Sequence, residues 1–125
     1  MLKTNESAEN YLETILVLSQ KKPVVRGVDI AEELGFKKSS VSVAMKNLRE
    51  KEQIRVTPEG YIYLTDSGRA IAEMIYERHR LLSRGLMLLG VDEQTATEDA
   101  CRIEHVISQE SFEAIKRHLH ITDKK

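Results

Sequence analysis

Apolar positions recur along this chain at two different periods, and the switches between them outline the fold. From about Asn5 to Gln20 they fall at helical spacing, with Tyr11, Leu12, Ile15, Leu16 and Leu18 on one stripe. Lys21, Lys22 and Pro23 close that helix. A shorter helix is predicted over Val28–Leu34, with Val28, Ile30, Ala31 and Leu34 turned inward and Gly35 as its stop. A third begins at Ser39 or Ser40, both good N-caps, and runs to about Lys51 with Val41, Ala44, Met45 and Leu48 facing inward. Two helices around a short glycine joint are the core of a helix-turn-helix.

The period then changes. Ile54–Thr57 and Tyr61–Leu64 are β-branched or aromatic runs, and Pro58-Glu-Gly60 between them is turn chemistry, so a small hairpin, or wing, follows the third helix. Thr65 opens a long helix to Leu89, with Asp66 at its positive end and Gly90 as its stop. Asp92 or Glu93 opens another, to about Val106. Ser108 caps a last helix carrying Phe112, Ile115 and Leu119. The fold class is therefore mostly α: a winged helix-turn-helix over residues 1–64, then a helical module over 65–125.

Bulk numbers narrow the function classes. Of 125 residues, 41% are hydrophobic and 31% charged, the balance of a globular protein rather than a disordered one. No apolar run is long enough for a transmembrane helix, and the polar N-terminus does not read as a signal peptide. The single cysteine, Cys101, excludes an internal disulfide framework and fits a reducing cytoplasm. A net charge of −1 argues against a DNA binder until its distribution is considered. Residues 36–55 hold six Lys/Arg against two acids, whereas residues 89–113 hold seven acids against Arg102 alone. That split suits one half facing phosphate and the other holding cations.

The N-terminal end of a recognition helix needs small hydrogen-bonding groups, because that end enters the major groove. Ser39, Ser40 and Ser42 supply them, and Lys37, Lys38 and Lys46 are placed for the flanking phosphates. The wing tip, Glu59 and Gly60, is a poor phosphate clamp.

The sharpest chemistry lies in Asp99-Ala-Cys101-Arg-Ile-Glu104-His105. Cys101, Glu104 and His105 stand at i, i+3 and i+4, which puts a sulfur, a carboxylate and an imidazole on one helix face. These donors suit a borderline divalent metal, and three do not complete its sphere. His79 on the long helix, and Glu9, Asn10 and Glu13 on the first, are candidates for the remainder. His118 and His120 are expected at the exposed C-terminal end.

With these residues in place the chain resembles the diphtheria-toxin-repressor family of iron- and manganese-dependent regulators. The resemblance rests on Glu9-Asn-Tyr-Leu12, Val28-Asp-Ile-Ala-Glu32, Ser39-Ser-Val-Ser42, Leu64-Thr-Asp-Ser-Gly68, Arg78-His-Arg-Leu81 and, above all, Asp99-Ala-Cys-Arg-Ile-Glu-His-Val106. It implies a homodimer, with the helical module as its metal-binding and dimerisation half, that binds a palindromic operator when metal is bound and represses metal-uptake genes. By this resemblance Cys101, Glu104 and His105 match the primary site of the iron branch, and Glu13 a carboxylate ligand of the manganese branch. His79 is a ligand in both branches. Asn10 stands where the iron branch has Met and the manganese branch Asp. Ser83 and Thr97 replace partners of the iron branch's second site, and the chain stops without that branch's small β-barrel domain.

A thiolate favours Fe(II), Co(II), Ni(II) or Zn(II) over Mn(II), while Glu13 and the Asn10 carbonyl pull toward harder ions, so Fe(II) is expected ahead of Mn(II). Two rival readings stand beside this one. A winged-helix regulator indifferent to metal would leave Cys101 and Glu104 without effect on operator affinity. A metal-dependent hydrolase built on Glu104 and His105 would need an open metal position in a cleft, and no nucleophile with an oriented base accompanies the pair.

Overall fold

The computed structural model describes residues 2–123, with side chains from 7 to 119, so His120 lies outside the described side chains. Its order is α1 (Leu2–Lys21), α2 (Gly27–Leu34), α3 (Lys38–Glu50), β1 (Ile54–Val56), β2 (Ile62–Leu64), α4 (Asp66–Leu88), α5 (Glu93–Ile103) and α6 (Gln109–Asp123). The chain is mostly helical, as its periodicity predicts. It divides into two compact units, Lys3–Met74 and Ile75 onward, with the boundary inside α4. No helix among the described residues is long and apolar enough to cross a membrane.

In the first unit, α1 buries the stripe read from the sequence: Tyr11, Leu12, Ile15, Leu16 and Leu18. Ile30 and Ala31 of α2 and Val41, Met45 and Leu48 of α3 are buried, as a helix-turn-helix joint requires. Gly35 (φ 69°) ends α2, and the Phe36 N–H bonds the Ala31 carbonyl. β1 and β2 pair antiparallel, Ile54 opposite Leu64 and Val56 opposite Ile62, and the turn between them closes with Gly60 N–H on the Thr57 carbonyl. The Ile62 N–H also bonds the Val25 carbonyl at 2.8 Å, which ties the wing to the chain just before α2. At the start of α4 the Thr65 hydroxyl accepts from the Gly68 N–H and donates to the Glu52 carbonyl at 2.7 Å. A Cβ on Gly68 would stand 2.0 Å from the Gln53 carbonyl oxygen, so this close approach admits only glycine.

Two expectations for this unit need correction. α3 starts one residue before the serines, with Lys37 as an extended N-cap that makes no side-chain bond, so neither Ser39 nor Ser40 caps it. Val28 is exposed rather than turned inward, because α2 begins at Gly27 and its inward stripe falls on Ile30 and Ala31.

In the second unit Ile75 and Leu82 of α4, Ala96 and Ala100 of α5, and Phe112 and Leu119 of α6 are buried. Asp92 caps α5, its carboxylate accepting from Gln94 N–H at 3.1 Å and Thr95 N–H at 3.3 Å. Ser108 caps α6 through the Ser111 N–H at 3.1 Å. The apolar pattern predicts α5 to Val106, but the helix stops at Ile103. The Val106 and Ile107 N–H groups both turn back onto the Ile103 carbonyl, and the Arg78 guanidinium takes the Glu104 and Ile107 carbonyls.

Candidate metal centre

Two elements of the second unit build the site. His79 projects from α4, Cys101 from the last turn of α5, and Glu104 is the C-cap of α5 with helical backbone angles. One ligand atom from each of the three lies within 4.8 Å of the others. The His79 Nδ1 is 2.9 Å from Glu104 Oε1 and 3.7 Å from Cys101 Sγ. The Glu104 side chain is only 1% exposed, whereas Cys101 is open to solvent. The cluster therefore joins a buried carboxylate to a solvent-exposed thiol.

A buried carboxylate needs compensation, because burial disfavours its charged form. Glu104 has an imidazole on each side: His79 Nδ1 faces Oε1, and His105 Nε2 lies 3.4 Å from Oε2. Hydrogen bonding to the Cys101 sulfur and the Glu104 carboxylate pushes the His79 pKa up to about 10, against the opposing effect of burial. At neutral pH one imidazolium N–H thus faces both acceptors. The donor set fits a borderline divalent cation: nitrogen, sulfur and carboxylate oxygen converge, and the position between them already favours positive charge.

The predicted helix face is thereby redistributed. Cys101 and Glu104 converge with His79, while His105, just past the helix end, sits on the far oxygen of Glu104. Glu9, Asn10 and Glu13 lie half-buried on α1 in the first unit, where the Asn10 backbone carbonyl, not its side-chain amide, accepts from the Thr14 hydroxyl at 2.8 Å. Ser83 is partly exposed, but its hydroxyl oxygen is buried and has no hydrogen-bond partner. His118 is exposed, as its place near the C-terminus predicts.

Among the predicted DNA-facing residues, Lys37 caps α3, while Lys38, Ser39, Ser40, Ser42 and Lys46 lie within it, and all six are exposed. The sequence reading missed Arg26. Its guanidinium lies 5.0 Å from the Tyr61 ring centre and donates to the Tyr61 hydroxyl at 3.2 Å, placing an exposed cation against the wing. It also missed Arg78, a buried guanidinium that bonds the Glu104 carbonyl. In sequence Arg78 is one arginine among several on α4, and only tertiary structure shows what it bonds.

Comparison with known proteins completes the description. Residues 3–61 match the family model of the iron dependent repressor N-terminal DNA binding domain, and residues 65–124 that of the iron dependent repressor metal binding and dimerisation domain. An HTH-type transcriptional regulator of Methanocaldococcus jannaschii is 33% identical over 114 residues, covering 90% of this chain and 91% of the relative. The HTH-type transcriptional regulator MntR of Bacillus pumilus is 35% identical over 112 residues, 90% of this chain and 78% of that one. Among solved structures, a manganese-dependent transcriptional repressor in complex with manganese matches at a TM-score of 0.83 and 30% identity. That match covers 90% of this chain, which spans about half of that structure (52%). The two matched halves cover the reading head and the module that holds His79, Cys101 and Glu104, and the chain belongs to the iron-dependent repressor family, which is the family its motifs resemble.

Proposed function

We propose that Fe(II) or Mn(II), held by His79, Cys101 and Glu104, sets the operator affinity of this metal-dependent DNA-binding transcriptional repressor. The convergence of those three donors on one point carries the reading. When bound, the cation supplies positive charge that neutralises the carboxylate and thiolate and joins donors from α4 and α5 in one sphere. His79 gives up its Nδ1 proton on loading, Glu104 offers a carboxylate already freed from water, and Cys101 offers its sulfur at the solvent side. We assign His105, beside the far oxygen of Glu104, to the same centre; for Glu9, Asn10 and Glu13 of α1 a ligand role is what the family resemblance implies. The Cys101 sulfur favours Fe(II). Glu13 and the manganese named for the solved relative favour Mn(II).

On the DNA side, the reading gives Ser39, Ser40 and Ser42 the base edges and Lys37, Lys38 and Lys46 the phosphates. A homodimer sets two copies of α3 on the half-sites of a palindromic operator that controls metal-uptake genes. It acts in the cytoplasm, where Cys101 stays reduced.

The test is an anaerobic operator titration with Mn(II), Fe(II), Co(II) and Zn(II), using the full chain and its Glu104→Gln and Cys101→Ala variants. The full chain is expected to gain about 5- to 150-fold in operator affinity with its preferred metal, and the Glu104→Gln chain to lose that gain. A gain of only a few-fold with every metal, or an undiminished gain in both variants, sinks the reading in favour of a regulator indifferent to metal.

A further inference from the structure

We infer that Arg78 is a positioning residue for the metal centre: it braces the turn after α5 so that the Glu104 carboxylate faces His79 and Cys101. The inference rests on the metal reading above and adds a residue to it. Arg78 is 7% exposed, an unusual state for a guanidinium. Its Nη1 donates to the backbone carbonyls of Glu104 and Ile107, each at 3.1 Å, and its Nη2 donates to Gln109 Oε1 at 2.9 Å. The guanidinium carbon lies 5.5 Å from the Phe112 ring centre, so an aromatic wall confines the group. Its Nε, also buried, has no hydrogen-bond partner.

Both Nη1 bonds fall on the segment that presents Glu104. The carbonyls at a helix C-terminus lack intrahelical donors, and that end carries partial negative charge. Nη1 satisfies the C-cap carbonyl of Glu104 and the Ile107 carbonyl in the following turn, while the planar fork sends Nη2 to Gln109, a spread that a single ammonium nitrogen cannot cover. Gln109 in the first turn of α6 then holds the other arm of the fork, so the link between α5 and α6 is clamped at both ends. Arg78 is also the residue directly before His79. One stretch of α4 therefore carries a ligand and the brace for the ligand opposite it, and covalent geometry couples their spacing. Leaving the Nε unpaired costs stability. A residue kept only for packing would not need two directed bonds to one turn and a third to the helix that follows it.

The test uses the full chain, metal-free and under anaerobic conditions, with Co(II) as the probe. Charge transfer from the Cys101 sulfur reports loading, and the visible ligand-field bands report the geometry of the bound ion. Arg78→Lys keeps the charge and loses the fork. It is expected to keep the wild-type helical content by circular dichroism, to weaken Co(II) binding about tenfold or more, and to shift the ligand-field bands. A folded Arg78→Lys chain with wild-type Co(II) affinity and spectrum, even at a lower melting temperature, overturns the inference. Should that variant fail to fold, Gln109→Met decides; it removes the Nη2 acceptor together with the exposed bond from Gln109 Nε2 to Glu113, and Glu113→Ala, which removes only the latter, is its control. A shifted spectrum with at least about twofold weaker binding supports the brace, and an unchanged spectrum and affinity overturns it. If the wild-type chain shows no sulfur-to-cobalt band, the metal reading itself fails, which is a different result from either.

Discussion

Three helix ends among the described residues close with a residue at positive φ followed by an N–H that bonds the carbonyl five residues back, yet only two of them use glycine. α2 ends on Gly35 and α4 on Gly90, both at positive φ. α3 ends on Glu52 at φ 60°, with the Glu52 N–H on the Arg49 carbonyl and the Gln53 N–H on the Leu48 carbonyl. A left-handed non-glycine residue costs about 1–2 kcal/mol, against an entropic cost for glycine of about 0.5–1 kcal/mol. Glu52→Gly is therefore expected to stabilise the metal-free protein by about 0.5–1 kcal/mol, read as a higher urea midpoint. His79 makes a second prediction at this scale. Its folded pKa of about 10 lies above the ordinary value of 6.5, so the stability it contributes is complete below about pH 6.5 and is lost as pH rises through 10. The gap in urea midpoint between the metal-free wild type and His79→Gln should shrink as pH is raised from 7 toward 10. An unchanging gap would mean that the imidazolium pairing contributes nothing.

Among the elements, the sequence was most legible where a helix end depends on its own residues. Asp92 and Ser108 cap α5 and α6 as read, because a cap needs only a short polar side chain and the next two or three N–H groups. The same reasoning applied to Ser39 and Ser40 failed. Cap chemistry does not by itself choose between neighbouring start points, and α3 begins with Lys37 in extended conformation. The two outcomes separate experimentally. Asp92→Ala should cost about 1 kcal/mol in urea unfolding, while Ser39→Ala and Ser40→Ala should stay within about 0.5 kcal/mol. The end of α5 was misread for a different reason. Ile103 and Val106 continue the apolar period, so the pattern runs on, but the Arg78 bonds that end the helix come from a residue far back in the chain. Periodicity carries no record of a donor on another helix.

At the scale of the whole molecule, a net charge of −1 conceals a basic segment over residues 36–55, and that distribution was visible in the sequence. Neutralising phosphates releases counterions, so Lys38→Ala should weaken operator and non-operator DNA alike. It should also flatten the slope of log affinity against log salt by about one unit. A change confined to the operator would place Lys38 on a base instead. The metal centre was only half legible. Cys101 and Glu104 were evident from their spacing, but that His79 completes the cluster ahead of His105 depends on how α4 lies against α5. The imidazolium between Glu104 and Cys101 has a consequence for what a cell would read from this protein. With its pKa raised to about 10, His79 holds a proton between Glu104 and Cys101 at neutral pH, so on the proposed reading loading would exchange one positive species for another. Below pH 10 the His79 proton alone should make apparent metal affinity rise about tenfold per pH unit, measurable by competition with a chelator of known pH behaviour. On the proposed reading the quantity transduced would be a ratio of metal activity to proton activity, and a fall in internal pH is expected to weaken metal-dependent operator binding at a fixed metal level.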